Sequence, residues 1–143
     1  MSTNNKELFE LSLRRRGFSI TSQRHMVFKE LIGQEPLSMR ELYERLRGQV
    51  DRASLYRIIS VFEKSGVVVR IPVGWKYKLE LSEAFNYHHH HITCIKCNRV
   101  IPIEEDETVE RLIKEVSEKH AILPFAHQLE IQGFCRACRP ADS

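Results

Sequence analysis

Apolar positions along the first 66 residues recur at helical spacing. Leu8, Phe9, Leu11 and Leu13 lie among polar residues, and Arg14-Arg15-Arg16-Gly17 closes the segment with cations and then glycine, as a helix C-terminus favours. A helix over 6–16 is predicted. Thr21-Ser22-Gln23 precedes Val27, Phe28, Leu31 and Ile32, a second helical stripe that Gly33 ends. Ser38-Met39-Arg40-Glu41 has the form of a capping box ahead of Leu42, Tyr43 and Leu46. In such a box the serine hydroxyl and the glutamate three residues on satisfy each other's free backbone N–H groups. Asp51 caps a fourth helix, Asp51 to Ser65, with Leu55, Ile58, Ile59 and Phe62 as its apolar face.

The period changes after Gly66. Val67 to Ile71 is rich in β-formers, Pro72-Val73-Gly74 reads as a turn, and Trp75 to Leu81 alternates as a strand does. Helices followed by a two-stranded hairpin are the order of a winged helix-turn-helix. Further on, Ile92 to Ile95 and Arg99 to Ile103 predict two strands joined across Lys96-Cys97-Asn98. Glu104 to Glu107 then open a helix carrying Val109, Leu112, Ile113 and Val116, and residues 128–134 alternate once more. The expected fold class is α+β. A winged-helix domain spans residues 1–81, a hinge 82–87, and a small α/β dimerisation domain with a three-stranded sheet 88–143.

Composition is globular, 42% hydrophobic and 29% charged. No apolar run nears the ~20 residues of a membrane span, and residues 1–10 lack the apolar stretch of a secretory signal, so the cytoplasm is the expected location. The net charge of +3 is unevenly placed. Residues 1–80 hold 15 Lys and Arg against 9 Asp and Glu, and the remainder 7 against 10. A basic first half suits a polyanion such as DNA, and equally a solvated basic surface.

The four cysteines form two pairs, Cys94-Ile-Lys-Cys97 and Cys135-Arg-Ala-Cys138, 37 residues apart. Paired C-x-x-C spacing without a secretion signal favours zinc over disulfides. Four thiolates close a tetrahedral site at about 2.3 Å and leave no position for a substrate. His88-His89-His90-His91 runs directly into Ile92-Thr93-Cys94. Successive side chains of an extended strand face opposite ways, so one run can serve two metal sites. Glu80, Glu104, Glu105, Glu110, His120 and His127 are the candidate further ligands. The deaminase pattern H-x-E with P-C-x-x-C, the H-E-x-x-H helix, a phosphate-binding glycine loop and G-x-S-x-G are all absent from the sequence, and no catalytic residue is expected. A zinc-stabilised protein-interaction module is the reading from a different class.

Over nearly its whole length the chain resembles the ferric uptake regulator family. The likeness is carried by Ser54-Leu55-Tyr56-Arg57-Ile58, Phe62 to Val68, the histidine run ahead of Cys94-x-x-Cys97, Lys119-His120, His127, and Gly133-x-Cys135-x-x-Cys138. It implies a homodimeric, metal-dependent repressor that binds a roughly palindromic DNA operator and controls iron uptake. Zinc-uptake and peroxide-sensing branches of the family are the alternatives. Cys94, Cys97, Cys135 and Cys138 match the family's structural zinc site. His88, His90, Glu110 and His127 match its site within the dimerisation domain, where His90 replaces an aspartate common in iron regulators. Glu80, His89 and His91 match part of an interdomain regulatory site for Fe²⁺, Zn²⁺ or Mn²⁺. The loop Gln34-Glu35-Pro36-Leu37 lacks the histidine usual there, and Pro102 stands where a carboxylate is common. Glu104 or Glu105 is the expected substitute.

A recognition helix enters the major groove with its N-terminal part against base edges. Arg52, Ser54, Tyr56 and Arg57 are therefore the candidates for base contact, with core packing as the alternative reading of Tyr56. Arg24, Lys76 and Lys78 suit phosphate contact.

Overall fold

The computed structural model describes residues 3–87, 89–104, 106–124, 127 and 129–140. It divides into two compact units, Met1–Tyr87 and His88–Ser143.

The first unit holds helices α1 (Thr3–Arg15), α2 (Ser22–Leu31), α3 (Met39–Arg45) and α4 (Arg52–Lys64), then strands β1 (Val68–Val73) and β2 (Lys76–Leu81). Each helix start after the first has its cap. Thr21 accepts from the Arg24 N–H, Ser38 and Glu41 form the full reciprocal box, and Asp51 accepts from the Ser54 N–H at 2.9 Å. Three aromatic rings tie the helices together. Phe9 stacks on Phe28 with centroids 4.2 Å apart and meets the edge of Phe62 at 5.3 Å. Leu13, Val27, Leu42, Leu46, Leu55, Ile59 and Val67 fill the space around them.

The hairpin departs from expectation at its turn. Pro72 and Val73 continue β1 as partners of Tyr77 and Lys76, so the connection is Gly74-Trp75 alone. Proline is tolerated because β1 has only one neighbour and its other edge needs no donor. Gly74 has φ +58, a conformation costly for any residue with a Cβ. The segment before α3 adds a bridge with no sequence signal: Leu37 and Leu79 exchange both backbone hydrogen bonds, at 2.9 and 2.6 Å. Within the segment 82–87 expected as a hinge, Ser82 and Phe85 contact the first unit. The Ser82 N–H donates to Val67, its hydroxyl to Gly66, and Phe85 packs edge-on against Phe28.

The second unit comprises β3 (His89–Cys94), β4 (Val100–Glu104), α5 (Glu107–Lys119) and β5 (Glu130–Gly133). Its sheet order is β4-β3-β5, antiparallel on one side of β3 and parallel on the other. Helix α5 supplies the crossover that parallel neighbours require. Two boundaries move. Strand β3 begins at His89, not Ile92, because the histidine backbone pairs with β4. Glu104 ends β4 opposite His89, whereas the acidic run led us to expect it to open the helix. Asp106 is the actual cap, accepting from the N–H groups of Thr108 and Val109. Among the described residues no helix is long and apolar enough to cross a membrane.

Candidate metal centres and nucleic-acid interface

The thiol cluster is built by two turns of the second unit. Cys94 ends β3, and Cys97 lies in the next turn, where Asn98 takes a positive φ of 59. Cys135 and Cys138 lie in a turn closed by the Cys138 N–H donating to Cys135 O at 2.9 Å. The four sulfurs lie within 4.8 Å of one another, and Cys97 and Cys135 approach to 3.9 Å. Backbone N–H groups of Cys135 and Cys97 point at Cys94 Sγ and hold its thiol down to about 6. Cys138 is pushed up to about 12, first by the hydrogen bond it shares with Cys135 and then by burial. Four sulfurs this close, with the Cys94 thiolate favoured and the Cys138 proton held by its hydrogen bond with Cys135, fit a thiophilic divalent cation. Such an ion takes thiolates and releases their protons.

The alternation of β3 divides the histidines between two faces. His90 is 2% exposed, and its Nε2 lies 3.0 Å from Glu110 Oε1. The same carboxylate oxygen is 3.2 Å from His127 Nε2. Glu110 comes from the first turn of α5, and His127 precedes β5, so three segments converge on one point. His90 and His127 rings are 5.5 Å apart. Two imidazole nitrogens and a carboxylate within 4.8 Å of one another can hold a transition metal. His88, expected in this set, lies outside the described residues, as does Glu105.

His89 and His91 occupy the opposite face of β3, their rings 4.8 Å apart. Cross-strand partners share a face. Pro102 lies opposite His91 and Glu104 opposite His89, so the exposed Glu104 carboxylate belongs to the same face. Glu80 is buried near the end of β2 in the first unit. His120 caps the C-terminus of α5, is exposed, and joins none of the clusters among the described residues.

In the first unit, α4 buries Leu55, Ile58, Ile59 and Phe62, which turns Arg52, Tyr56 and Arg57 outward. Tyr56 is 53% exposed, so it is not a core aromatic. The Arg52 guanidinium lies over the Tyr43 ring at 5.0 Å, a support from α3 that the sequence did not signal. Arg57 donates to the Ser54 hydroxyl at 3.2 Å, which places Ser54 as a prop for Arg57. Arg24 donates to Ser19 and lies 5.9 Å from the Phe18 ring, closing the α1–α2 loop. Lys78 is drawn to Glu41 at 3.7 Å. Lys76 is exposed on the hairpin, as are Arg14, Arg15 and Arg16 at the end of α1.

A helix-turn-helix with a hairpin wing, together with thiolate and histidine metal clusters, defines a metal-binding DNA-binding regulator. The ferric uptake regulator family matches residues 15–132. The chain is 31% identical over 132 residues to the ferric uptake regulation protein of Escherichia coli K12, covering 87% of this chain and 86% of the relative. It superposes on the Vibrio cholerae ferric uptake regulator with a TM-score of 0.73 and 28% identity, covering 88% of this chain and 98% of the other. The Helicobacter pylori ferric uptake regulator, described as having three functional metal-binding sites, shares the fold with a TM-score of 0.83. Its identity is 24%, over 98% of this chain and 95% of the other. The chain belongs to the ferric uptake regulator family of metal-responsive, DNA-binding transcription regulators.

Proposed function

We propose that the protein is a homodimeric, cytoplasmic repressor of iron-uptake genes that binds a roughly palindromic operator when loaded with Fe²⁺. The observation that carries this reading is a division of labour. One unit offers an outward basic face at the start of α4, and the other a histidine–carboxylate cluster in which His90 is buried and Glu110 and His127 are half-buried.

The four cysteines are assigned zinc, which fixes the β3–β4 turn to the segment after β5 and contributes directly to folding. His90, Glu110 and His127, with His88, are assigned a second ion. His89, His91 and Glu104, with Glu80 of the DNA-binding unit, are assigned the regulatory one. Glu104 takes the place of the carboxylate that Pro102 lacks, since strand pairing sets it beside His89. A bound ion supplies positive charge that draws nitrogen and oxygen ligands into one geometry. These residues thereby favour one arrangement of the chain over others, as a population shift requires.

Arg52, Tyr56 and Arg57 are assigned to base edges, with Ser54 orienting Arg57, and Arg24 and Lys76 to phosphates. The iron assignment rests on the names of the relatives. Zinc sensing is the second reading, supported by the nitrogen donor His90, which stands where many iron regulators have an aspartate.

Fluorescence anisotropy with an operator duplex, at fixed salt and buffered free Fe²⁺, Zn²⁺ or Mn²⁺, tests the assignment with the thiol zinc left in place. Tightening by Fe²⁺ alone supports an iron regulator, and tightening by Zn²⁺ at far lower free concentration replaces iron with zinc. Equal binding by apo and loaded protein overturns the metal-responsive reading.

A further inference from the structure

We propose that Trp75, at the tip of the β1–β2 hairpin, is itself a DNA contact, its ring seated on the deoxyribose wall of the duplex beside the phosphate that Lys76 is assigned. The proposal rests on the first unit being the DNA-binding one. Trp75 is the chain's single tryptophan, and its side chain is fully exposed at a two-residue turn. A tryptophan offers roughly 150–250 Å² of mostly apolar surface, and leaving it in water forfeits the stabilisation its burial gives elsewhere.

The hairpin is braced. Arg70 of β1 pairs with Glu63 of α4 and lies over Tyr77 at 4.2 Å, and Lys78 of β2 is drawn to Glu41 of α3. The tip is therefore a wedge held by α4, which carries the proposed base contacts, and by α3 beside it. Its chemistry selects the partner. Lys76 adjoins Trp75 and makes no ion pair among the described residues, and the hairpin's single carboxylate, Glu80, sits at the opposite end. One cation beside one flat apolar ring matches a surface that alternates phosphates with sugars and base edges. An apolar protein groove would not call for the lysine, and a membrane surface would call for several apolar residues where the tip has one ring.

The sole tryptophan makes the test direct. A duplex is recovered from a randomised library with the wild-type, metal-loaded protein and titrated into the full-length chain. Trp75 emission is expected to shift blue and fall in intensity at saturation. Trp75→Ala should weaken binding at least about tenfold, in line with aromatic stacking on nucleic acid, with the salt slope unchanged. Trp75→Phe should recover most of the loss, and Lys76→Ala should lower the salt slope by about one. Unchanged emission at saturation, or wild-type affinity in Trp75→Ala, overturns the proposal while leaving the DNA-binding reading intact. Emission that responds to anionic phospholipid vesicles and not to the duplex makes the tip a membrane contact and also overturns it. Recovery of no duplex at all removes the underlying reading together with the proposal.

Discussion

The two units are stabilised by different means. The first buries Phe9, Leu13, Val27, Phe28, Leu42, Leu46, Leu55 and Phe62 in one apolar cluster, with capped helices around it. In the second, the only buried apolar residues among those described are Cys94 and Val100, joined by the polar Thr93 and His90. Helix α5 buries none of its residues, and Leu112 and Val116 on its apolar face are 58% and 50% exposed. Ile101, Ile122, Leu123, Ile131 and Phe134 are exposed as well. A short segment with so thin a core needs help of the kind small domains draw from metals or partner chains. The first unit is held by its sequence alone. The second, in the proposed function, gains its support from zinc on the four thiolates and from a second copy of the chain.

The largest expected effect comes from removing the thiol site. Cys135→Ser with Cys138→Ser should abolish cooperative folding of residues 88–143 while leaving the first unit's amide spectrum in place, since structural zinc contributes on the order of 10 kcal/mol. Two-dimensional NMR of the full chain checks this. Collapse of both sets of resonances would mean that the units fold as one.

The reciprocal change, Phe62→Ala, should cost the first unit about 3–5 kcal/mol through the cavity left against Phe9. Zinc retention should be untouched, as chemical denaturation monitored with a zinc dye would report. Next in size is Leu112→Glu, which should weaken self-association at least about tenfold by placing a charge on the exposed apolar face of α5. Sedimentation equilibrium reads it, and a dimer of unchanged affinity would place the interface elsewhere.

The smallest effect is acid sensitivity at the helix starts. Burial raises the Glu41 carboxyl, but hydrogen bonds from the Ser38 N–H and hydroxyl and the nearby Lys78 charge outweigh it, so the group stays below its ordinary 4.5. Hydrogen bonds from Ser54 hold Asp51 below 3.8, and those from Thr108 and Val109 hold Asp106 below 3.8. Folded-state values below the unfolded ones stabilise above the unfolded values, and that contribution drains as pH falls through the folded ones. Thermal melts should hold level down to about pH 5 on this account and decline below. Ser38→Ala should flatten the Glu41 share of that decline.

Legibility tracked the same division. Helices α2 to α4 could be read closely because caps and apolar stripes are local signals, and the Asp51 and Ser38 caps stand where the sequence placed them. Cys94, Cys97, Cys135 and Cys138 were legible from spacing, and their sulfurs do converge. The extent of β3 was not, because histidine carries no apolar alternation and its strand state is decided by pairing with β4. Glu104 was misplaced for a similar reason: an acidic run resembles a helix start, and only the His89 partnership makes its first member a strand residue. The Leu37–Leu79 bridge and the Arg52–Tyr43 contact join residues distant in sequence or in adjacent helices, and no local pattern announces them.

The repeated residue in β3 has one more consequence. A slip of one position along β4 would exchange a histidine for a histidine through most of the run, so the imidazoles carry almost no information about alignment during folding. Alignment must be written by the second half of the strand. Ile92 pairs with Ile101 and Thr93 with Val100, and Cys94 can meet its three sulfur partners in one phase only. The thiol cluster thus acts as the frame marker of the strand. The choice of which histidines meet Glu110 and which meet Glu104 is settled at the far end of β3, at the sulfur atom of Cys94.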